Sequence, residues 1–93
     1  MLEEIKKIEG INHTEFDTMI NTWISAAQLD LKSVGIVNTL VYEPDNLIKT
    51  AIITYVLSFL DVPNAEMYAR SYALQKDVLR HLQEYQVGNA IED

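Results

Sequence analysis

Cysteine is absent from the 93 residues, glycine occurs three times and proline twice. Without cysteine the chain has neither disulfide bonds nor thiolate metal ligands. Three glycines are too few for a phosphate-cradling loop, and the G-x-S-x-G signature of serine hydrolases is missing. The two histidines, His13 and His81, lie far apart without a cluster of further ligand residues. We therefore expect no catalytic, cofactor or metal site, and no enzyme activity.

Basic residues are also scarce, with seven lysines and arginines against fourteen acids and a net charge of −7. Such a chain gains little counterion-release energy on a phosphate backbone, so sequence-specific DNA binding is disfavoured. The most apolar stretch, Leu47–Leu60, contains Lys49 and is shorter than the roughly 20 residues that span a bilayer. The N-terminal residues lack the apolar stretch of a secretion signal. We expect no membrane association, and the absence of cysteine suits synthesis in a reducing cytoplasm.

Hydrophobic periodicity predicts an all-α fold, a small bundle of three long helices preceded by a short one. The predicted helices are Leu2–Glu9, Thr14–Val34, Asp45–Leu60 and Ala65–Tyr85. Thr14, Asp45 and Asn64 are suited to cap the three long helices, and Gly10 and Gly35 are suited to end the first two. Residues 36–43 are rich in β-branched and aromatic side chains and predict an extended linker between the first and second long helices, or a short strand or hairpin centred on Asn38 and Thr39, but not a helix. We expect residues 1–86 to form one domain and residues 87–93 a flexible tail.

The core is predicted from the apolar faces of the long helices, which include Phe16, Met19, Leu47, Phe59, Met67, Leu74 and Val78. Four further aromatic side chains are expected in the core, Trp23, Tyr55, Tyr68 and Tyr72. The apolar residues of the second long helix extend around most of its circumference, and only Thr50, Thr54 and Ser58 form a narrow polar strip. A helix of this kind is either central or covered by another subunit.

Several segments resemble small head-tail connector proteins of tailed bacteriophages. The strongest is the Pro44–Val56 segment, whose Asp-Asn-Leu-Ile-Lys-Thr-Ala-Ile-Ile-Thr-Tyr run is similar to one in these families. The other matching segments, in order along the chain, are Leu2–Lys7, Ala26–Ala27, Pro63–Glu66 and Ser71–Lys76. The resemblance covers nearly the whole chain, whereas the tail after Tyr85 matches none of these motifs.

This resemblance implies a structural adaptor, or head-completion protein, at the head-tail interface of the virion. Such proteins assemble as a ring, typically twelvefold, beneath the portal protein after DNA packaging. The ring extends the DNA channel and offers a docking surface to the stopper or tail-completion protein. The implied partners are thus further copies of the chain, the portal and the stopper or tail, while DNA passes through without specific binding.

A closed ring needs two different contact faces on each subunit. We expect a subunit interface near the small polar strip of the second long helix and at two arginines of the third, namely Thr50, Thr54, Ser58, Arg70 and Arg80. The linker and the tail combine apolar side chains with free backbone groups that could extend a partner's sheet. Their candidate partner-binding residues are Ile36, Val37, Leu40, Tyr42, Val87 and Ile91.

A second function remains compatible with the same fold. A small acidic cytosolic helical protein could bind and regulate another protein. The neighbouring genes would separate the two functions, because a connector is expected beside genes for portal, capsid and tail proteins. A third interpretation is a DNA-binding helix-turn-helix protein. Such a protein would need a basic recognition helix, whereas the third long helix has balanced charge.

Overall fold

The computed structural model describes residues 1–87, which form five α-helices and two short 3-10 turns, with no β-strand in this range. The predicted all-α class is therefore confirmed. The helices are α1 (Leu2–Glu9), α2 (Asp17–Ser33), α3 (Asn38–Tyr42), α4 (Asn46–Leu60) and α5 (Ala65–His81). The 3-10 turns are Val62–Asn64 and Gln83–Tyr85. The division into a domain of residues 1–86 and a tail of residues 87–93 stays a prediction.

Helix α1 ends as predicted at Gly10, whose φ of 68° is in the left-handed region that glycine tolerates best. Two turns are too short to be stable alone in water, so this helix needs tertiary contacts. Ile5 is fully buried in the core, and Lys6 Nζ lies 2.8 Å from Asp17 Oδ1 at the start of α2. An apolar contact and an ion pair thus dock α1 on the rest of the fold.

Helix α2 begins three residues later than predicted, because Thr14 does not cap it. The backbone N–H of Asp17 donates to the Thr14 carbonyl, and Phe16 precedes the helix without a side-chain cap bond. The predicted glycine stop is present: Gly35 has a φ of 93°, and its N–H donates to the carbonyl of Lys32. A Cβ at Gly35 would meet only the end of the flexible Gln86 side chain, so the positive φ, not close packing, favours glycine there.

The prediction of an extended, non-helical segment after α2 is wrong for most of its length. Only Ile36 and Val37 are extended, and Asn38–Tyr42 form the short helix α3. Val37 has a ψ of 144° and leads into the helix, which buries Val41 completely. Burial of this side chain in the core outweighs the β preference of the segment, which is a weak and context-dependent preference.

Helix α4 is the central element of the core. Asp45 caps it as predicted, because its Oδ1 accepts a hydrogen bond of 3.0 Å from the backbone N–H of Ile48. Side chains on several sides of the helix are buried, namely Ile48, Ala51, Ile52, Thr54, Val56 and Leu57. Helices α2 and α5 both pack against it, so α4 is covered within a single subunit to a large extent.

Helix α5 ends at His81, four residues before the predicted end. Leu82 has an extended conformation, and residues 82–87 form a C-terminal strap that returns to the α2–α3 connection. Val37 N–H donates to the Tyr85 carbonyl and Val87 N–H donates to the Gly35 carbonyl. Tyr85 itself is buried, and its hydroxyl donates to Asp45 Oδ2. The strap thereby satisfies backbone groups that would have been unpaired in an extended linker.

Candidate functional site

An open apolar groove lies between the first half of α4 and the second half of α5. Its volume is about 310 Å³, and its lining residues are Leu47, Thr50, Leu74, Gln75, Val78 and Leu79. Leu74 is 70% exposed, and Leu47 and Val78 are each more than half exposed. Neighbouring exposed apolar side chains of this kind are typical of protein-docking sites. We call Leu47, Thr50, Leu74 and Val78 the groove surface.

The predicted interface strip on α4 divides at this groove. Thr50 is exposed and lines it, whereas Thr54 is only 8% exposed and Ser58 is half-buried. Thr54 Oγ1 donates to the Thr50 carbonyl and accepts a bond of 3.2 Å from Gln75 Nε2 of α5. Thr54 thus takes part in helix packing within the subunit. Its assignment to a subunit contact, like that of Ser58, stays a prediction.

Gln75 lines the floor of the groove, and its side-chain oxygen is unpaired within the described residues. Its Nε2 donates to Thr54 Oγ1 and to Ser71 Oγ, each at 3.2 Å. Its Oε1 is buried and finds no hydrogen-bond donor within residues 1–87. Most buried polar atoms in folded proteins have a hydrogen-bond partner, so Gln75 Oε1 leaves the groove with an unpaired acceptor in the described part of the chain.

The two predicted interface arginines are exposed and pair within α5. Arg70 lies 3.8 Å from Glu66, and Arg80 lies 2.6 Å from Asp77. Exposed ion pairs of this kind contribute little to stability, so both guanidinium groups can exchange partners at low cost. Arg70 is one turn before Leu74 and borders the groove surface.

A second apolar surface lies at the opposite end of α4. Trp23 of α2 stacks on Phe59 of α4 with ring centroids 5.7 Å apart. Phe16 and Met19 lie seven and four residues before Trp23. This spacing places all three residues on one side of the chain at the start of α2. Phe16, Met19 and Phe59 are each about half exposed. We call these four residues the aromatic surface.

The surroundings of the aromatic surface are acidic. Glu15 is exposed beside Phe16, and Asp61 follows α4 immediately after its last residue. Burial and the neighbouring Asp61 carboxylate raise the pKa of Glu9 above its ordinary value. Two carboxylates therefore lie close enough here to disfavour each other's charge.

The predicted partner-binding residues of the linker and tail are separated by the fold. Ile36 and Val37 are buried, and the strap pairs with both, so the prediction of free backbone groups at these two positions is wrong. Leu40 is half-buried, whereas Tyr42 and Val87 are more than half exposed. Ile91 lies outside the described residues. Tyr42 and Val87 thus keep the exposure that partner binding requires.

Tyrosine–aspartate hydrogen bonds tie α5 and the strap to the rest of the fold. Tyr72 Oη donates to Asp30 Oδ2 of α2 at 2.6 Å, and Lys76 Nζ lies 3.0 Å from the same oxygen. Burial, followed by the bond to Asp30, raises the pKa of Tyr72. The bond to Asp45 raises the pKa of Tyr85 to about 12. These groups hold elements of the subunit together.

Neither histidine belongs to a ligand cluster in the described range. His13 Nδ1 accepts from the backbone N–H of Glu15, and His81 Nδ1 lies 2.8 Å from the Asp77 carbonyl. Residues 1–87 contain no group of three side chains suited to hold a metal ion. No single helix there is long and apolar enough to cross a membrane. Only α4 together with the next helical stretch meets that test, as a pair bent by 111°.

A family model described as Phage connector protein matches residues 1–86. The chain belongs to this family. Searches of curated proteins and of solved structures found no match. Family membership implies a structural component of the virion that contacts other phage head or tail proteins. The two apolar surfaces of this connector protein are accordingly its best candidates for protein contacts.

Sequence reasoning missed most of these exposed residues because it assigned them to the core. The apolar residues of α5 form two stripes about 120° apart around the helix: Tyr68, Tyr72 and Leu79 face inward, whereas Met67, Leu74 and Val78 face outward. An apolar arc wider than about 100° exceeds what one packing face requires. That width was the available signal for a second, partner-facing stripe.

Proposed function

We propose that this connector protein is a head-tail adaptor that assembles as a twelvefold ring beneath the portal. The ring extends the DNA channel and presents a docking surface to the stopper or tail-completion protein. The observation that carries this proposal is the pair of separate apolar surfaces, on opposite sides of α4, in a chain of the connector family. A ring subunit needs two such different faces, one for each neighbour.

The charge distribution supports a conduit that does not bind its cargo. Five of the seven basic side chains pair with carboxylates of the same chain, namely Lys6, Lys49, Arg70, Lys76 and Arg80. Little positive charge is then left for phosphate groups, and the net charge of −7 per subunit repels them. DNA can therefore pass through the ring without being held by its wall.

The remaining exposed candidates are suited to partners above and below the ring. Tyr42 projects from α3, and Val87 lies at the end of the strap. Tyr42 lies shortly after the α2–α3 connection in the sequence, and Val87 pairs with that connection through its backbone. Neither residue lines the α4–α5 groove. We assign these positions to portal or stopper contacts and the apolar surfaces to contacts between copies.

Electron microscopy of the protein mixed with purified portal complexes tests the function. We expect ring-shaped density on the portal with twelve repeats, and no density on capsid shells that lack the portal. A mobility-shift titration of the assembled ring with duplex DNA should show no salt-sensitive binding. Absence of decoration under all packaging-like conditions would remove the adaptor function, and tight DNA binding would remove the role as a passive conduit.

A further inference from the structure

The two apolar surfaces point in different directions within one subunit. Thr50 in the groove surface and Phe59 in the aromatic surface are nine residues apart on α4. This spacing places them about 180° apart around the helix and about 14 Å apart along it. A subunit consequently cannot cover one surface with the other, and both are left for other molecules.

Shape distinguishes the two surfaces. The groove surface is concave, with a volume of about 310 Å³. A cavity of about 150 Å³ is enough to hold a benzene molecule, so the groove has room for one or two large apolar side chains. The aromatic surface offers such side chains, because Phe16 and Met19 are exposed where the chain enters α2.

The two surfaces also differ in charge, and the charged groups beside them are opposite in sign. Arg70 borders the groove surface and has only a loose, exposed pairing with Glu66. Glu15 borders the aromatic surface, and the closely spaced Glu9 and Asp61 carboxylates add negative charge at that end. Contact of a groove with an aromatic surface brings opposite charges together, whereas contact of two grooves brings two copies of Arg70 together.

We infer that the groove surface of one subunit receives the aromatic surface of the next subunit in the ring, with Phe16 and Met19 seated between Leu47 and Leu74. This inference rests on the proposed ring function and names the faces that build it. The contact is heterologous, so each subunit uses one face for each neighbour and the chain of contacts closes by rotation. A groove-to-groove contact would instead end at a dimer.

Cysteine cross-linking is well suited to test this contact because the chain has no cysteine of its own. The double variant Met19→Cys/Leu74→Cys is assembled on portal complexes, treated with a short bis-maleimide cross-linker and separated on a denaturing gel. We expect a ladder of covalent oligomers. The single variants Met19→Cys and Leu74→Cys should stay monomeric, because neither surface faces its own copy.

A control variant tests whether cross-linking depends on the positions of the two cysteines. Ser33→Cys/Leu74→Cys moves one cysteine to the exposed far end of α2 and should stay monomeric. Phe16→Cys/Val78→Cys places a second pair on the same two surfaces and should give the same ladder, which guards against failure of one variant to fold. All four positions on the two surfaces are about half exposed or more, so the core is untouched.

The outcomes separate this inference from the function on which it rests. Rings seen by microscopy without a ladder from either double variant overturn the inference and leave the adaptor function intact. Dimers of Leu74→Cys alone also overturn it, since they indicate groove-to-groove pairing. No rings from the unmodified protein would overturn the proposed function itself.

Discussion

Helices α4 and α5 are similar in length but differ in what they bury. Ile48, Ala51, Ile52 and Val56 of α4 are completely inaccessible to solvent, whereas α5 buries only Tyr72 and Leu79. Helix α4 lies between α2 and α5, while α5 lies at the edge of the bundle. Apolar residues therefore have two fates in this fold: in α4 most of them form the core, and in α5 several of them, Met67, Leu74 and Val78, stay exposed.

Truncation of one apolar side chain on each helix should separate these uses most strongly. Ile52→Ala removes fully buried atoms and should lower the free energy of unfolding by about 2–5 kcal/mol. Leu74→Ala removes exposed atoms and should change it by no more than about 0.5 kcal/mol. Urea unfolding followed by Trp23 fluorescence measures both. Portal decoration should decline for Leu74→Ala although its fold is intact, and an equal loss of stability in the two variants would remove the distinction.

The start of each helix provides the next contrast. Asp45 caps α4 and also accepts the hydrogen bond of the buried Tyr85 hydroxyl, so Asp45→Ala should cost about 1.5–3 kcal/mol. Asn64 precedes α5 without a side-chain cap bond and contacts only the Asp61 carboxylate, so Asn64→Ala should cost less than about 0.5 kcal/mol. Thermal or urea unfolding of the two alanine variants compares them. Asp45→Asn should recover part of the loss because asparagine also caps helices well.

Sequence reasoning predicted α4 better than α5 for a physical reason. The cap residue Asp45, the preceding proline and the nearly continuous apolar pattern all agree on α4, and it begins within one residue of its predicted start. The end of α5 depends on the strap, in which Tyr85 and Val87 pair with Val37 and Gly35 about fifty residues earlier. No local pattern reports such a distant pairing. Helix α3 was missed for a related reason, because burial of Val41 in the core outweighs the local β preference.

The docking residues show the same limit. Thr50 and Thr54 lie one turn apart in the predicted polar strip, but Thr50 is exposed whereas Thr54 is buried beneath α5. Periodicity gives the face of a helix, whereas the position of the neighbouring helix decides which residues along that face are covered. Leu74 and Val78 were assigned to the core because an apolar residue gives no sign in sequence of whether its partner is in the same chain.

The hydroxyl of Tyr72, together with Lys76, ties the edge helix α5 to Asp30 of α2. Tyr72→Phe keeps the ring and removes the bond to Asp30, which should cost about 1 kcal/mol at neutral pH. Because the pKa of Tyr72 is raised on folding, its contribution is present below its ordinary value of about 10 and is lost as pH rises above it. Urea unfolding at pH 7 and pH 10.5 should therefore show a smaller difference between Tyr72→Phe and the unmodified protein at the higher pH.

The matched control for this effect is Tyr42→Phe, which alters an exposed ring on α3. It should change the free energy of unfolding little at either pH. Some alkaline loss should persist in Tyr72→Phe, because the bond to Asp45 also raises the pKa of Tyr85, to about 12. A constant difference between Tyr72→Phe and the unmodified protein at both pH values would contradict the assigned role of the hydroxyl.

The smallest effect is expected at the end of α4, where Glu9 lies near Asp61. Burial and Asp61 raise the pKa of Glu9, so Glu9 holds its proton to a higher pH in the folded protein than in the unfolded chain. Stability from this group is therefore full below its ordinary pKa and is lost as pH rises through the raised value. Glu9→Gln removes the charge and should stabilise the protein at pH 7 by a few tenths of a kcal/mol, as expected for an exposed pair.

Urea unfolding at pH 4 and pH 7 measures this difference, and Glu43→Gln on the exposed C-terminal side of α3 is the control. The gain from Glu9→Gln should be larger at pH 7 than at pH 4 and should shrink at high salt, because salt screens exposed charges. A destabilised Glu9→Gln variant would show that the two carboxylates are compensated by another group. Glu15 would then be the carboxylate left to match Arg70 of the neighbouring subunit at the groove contact.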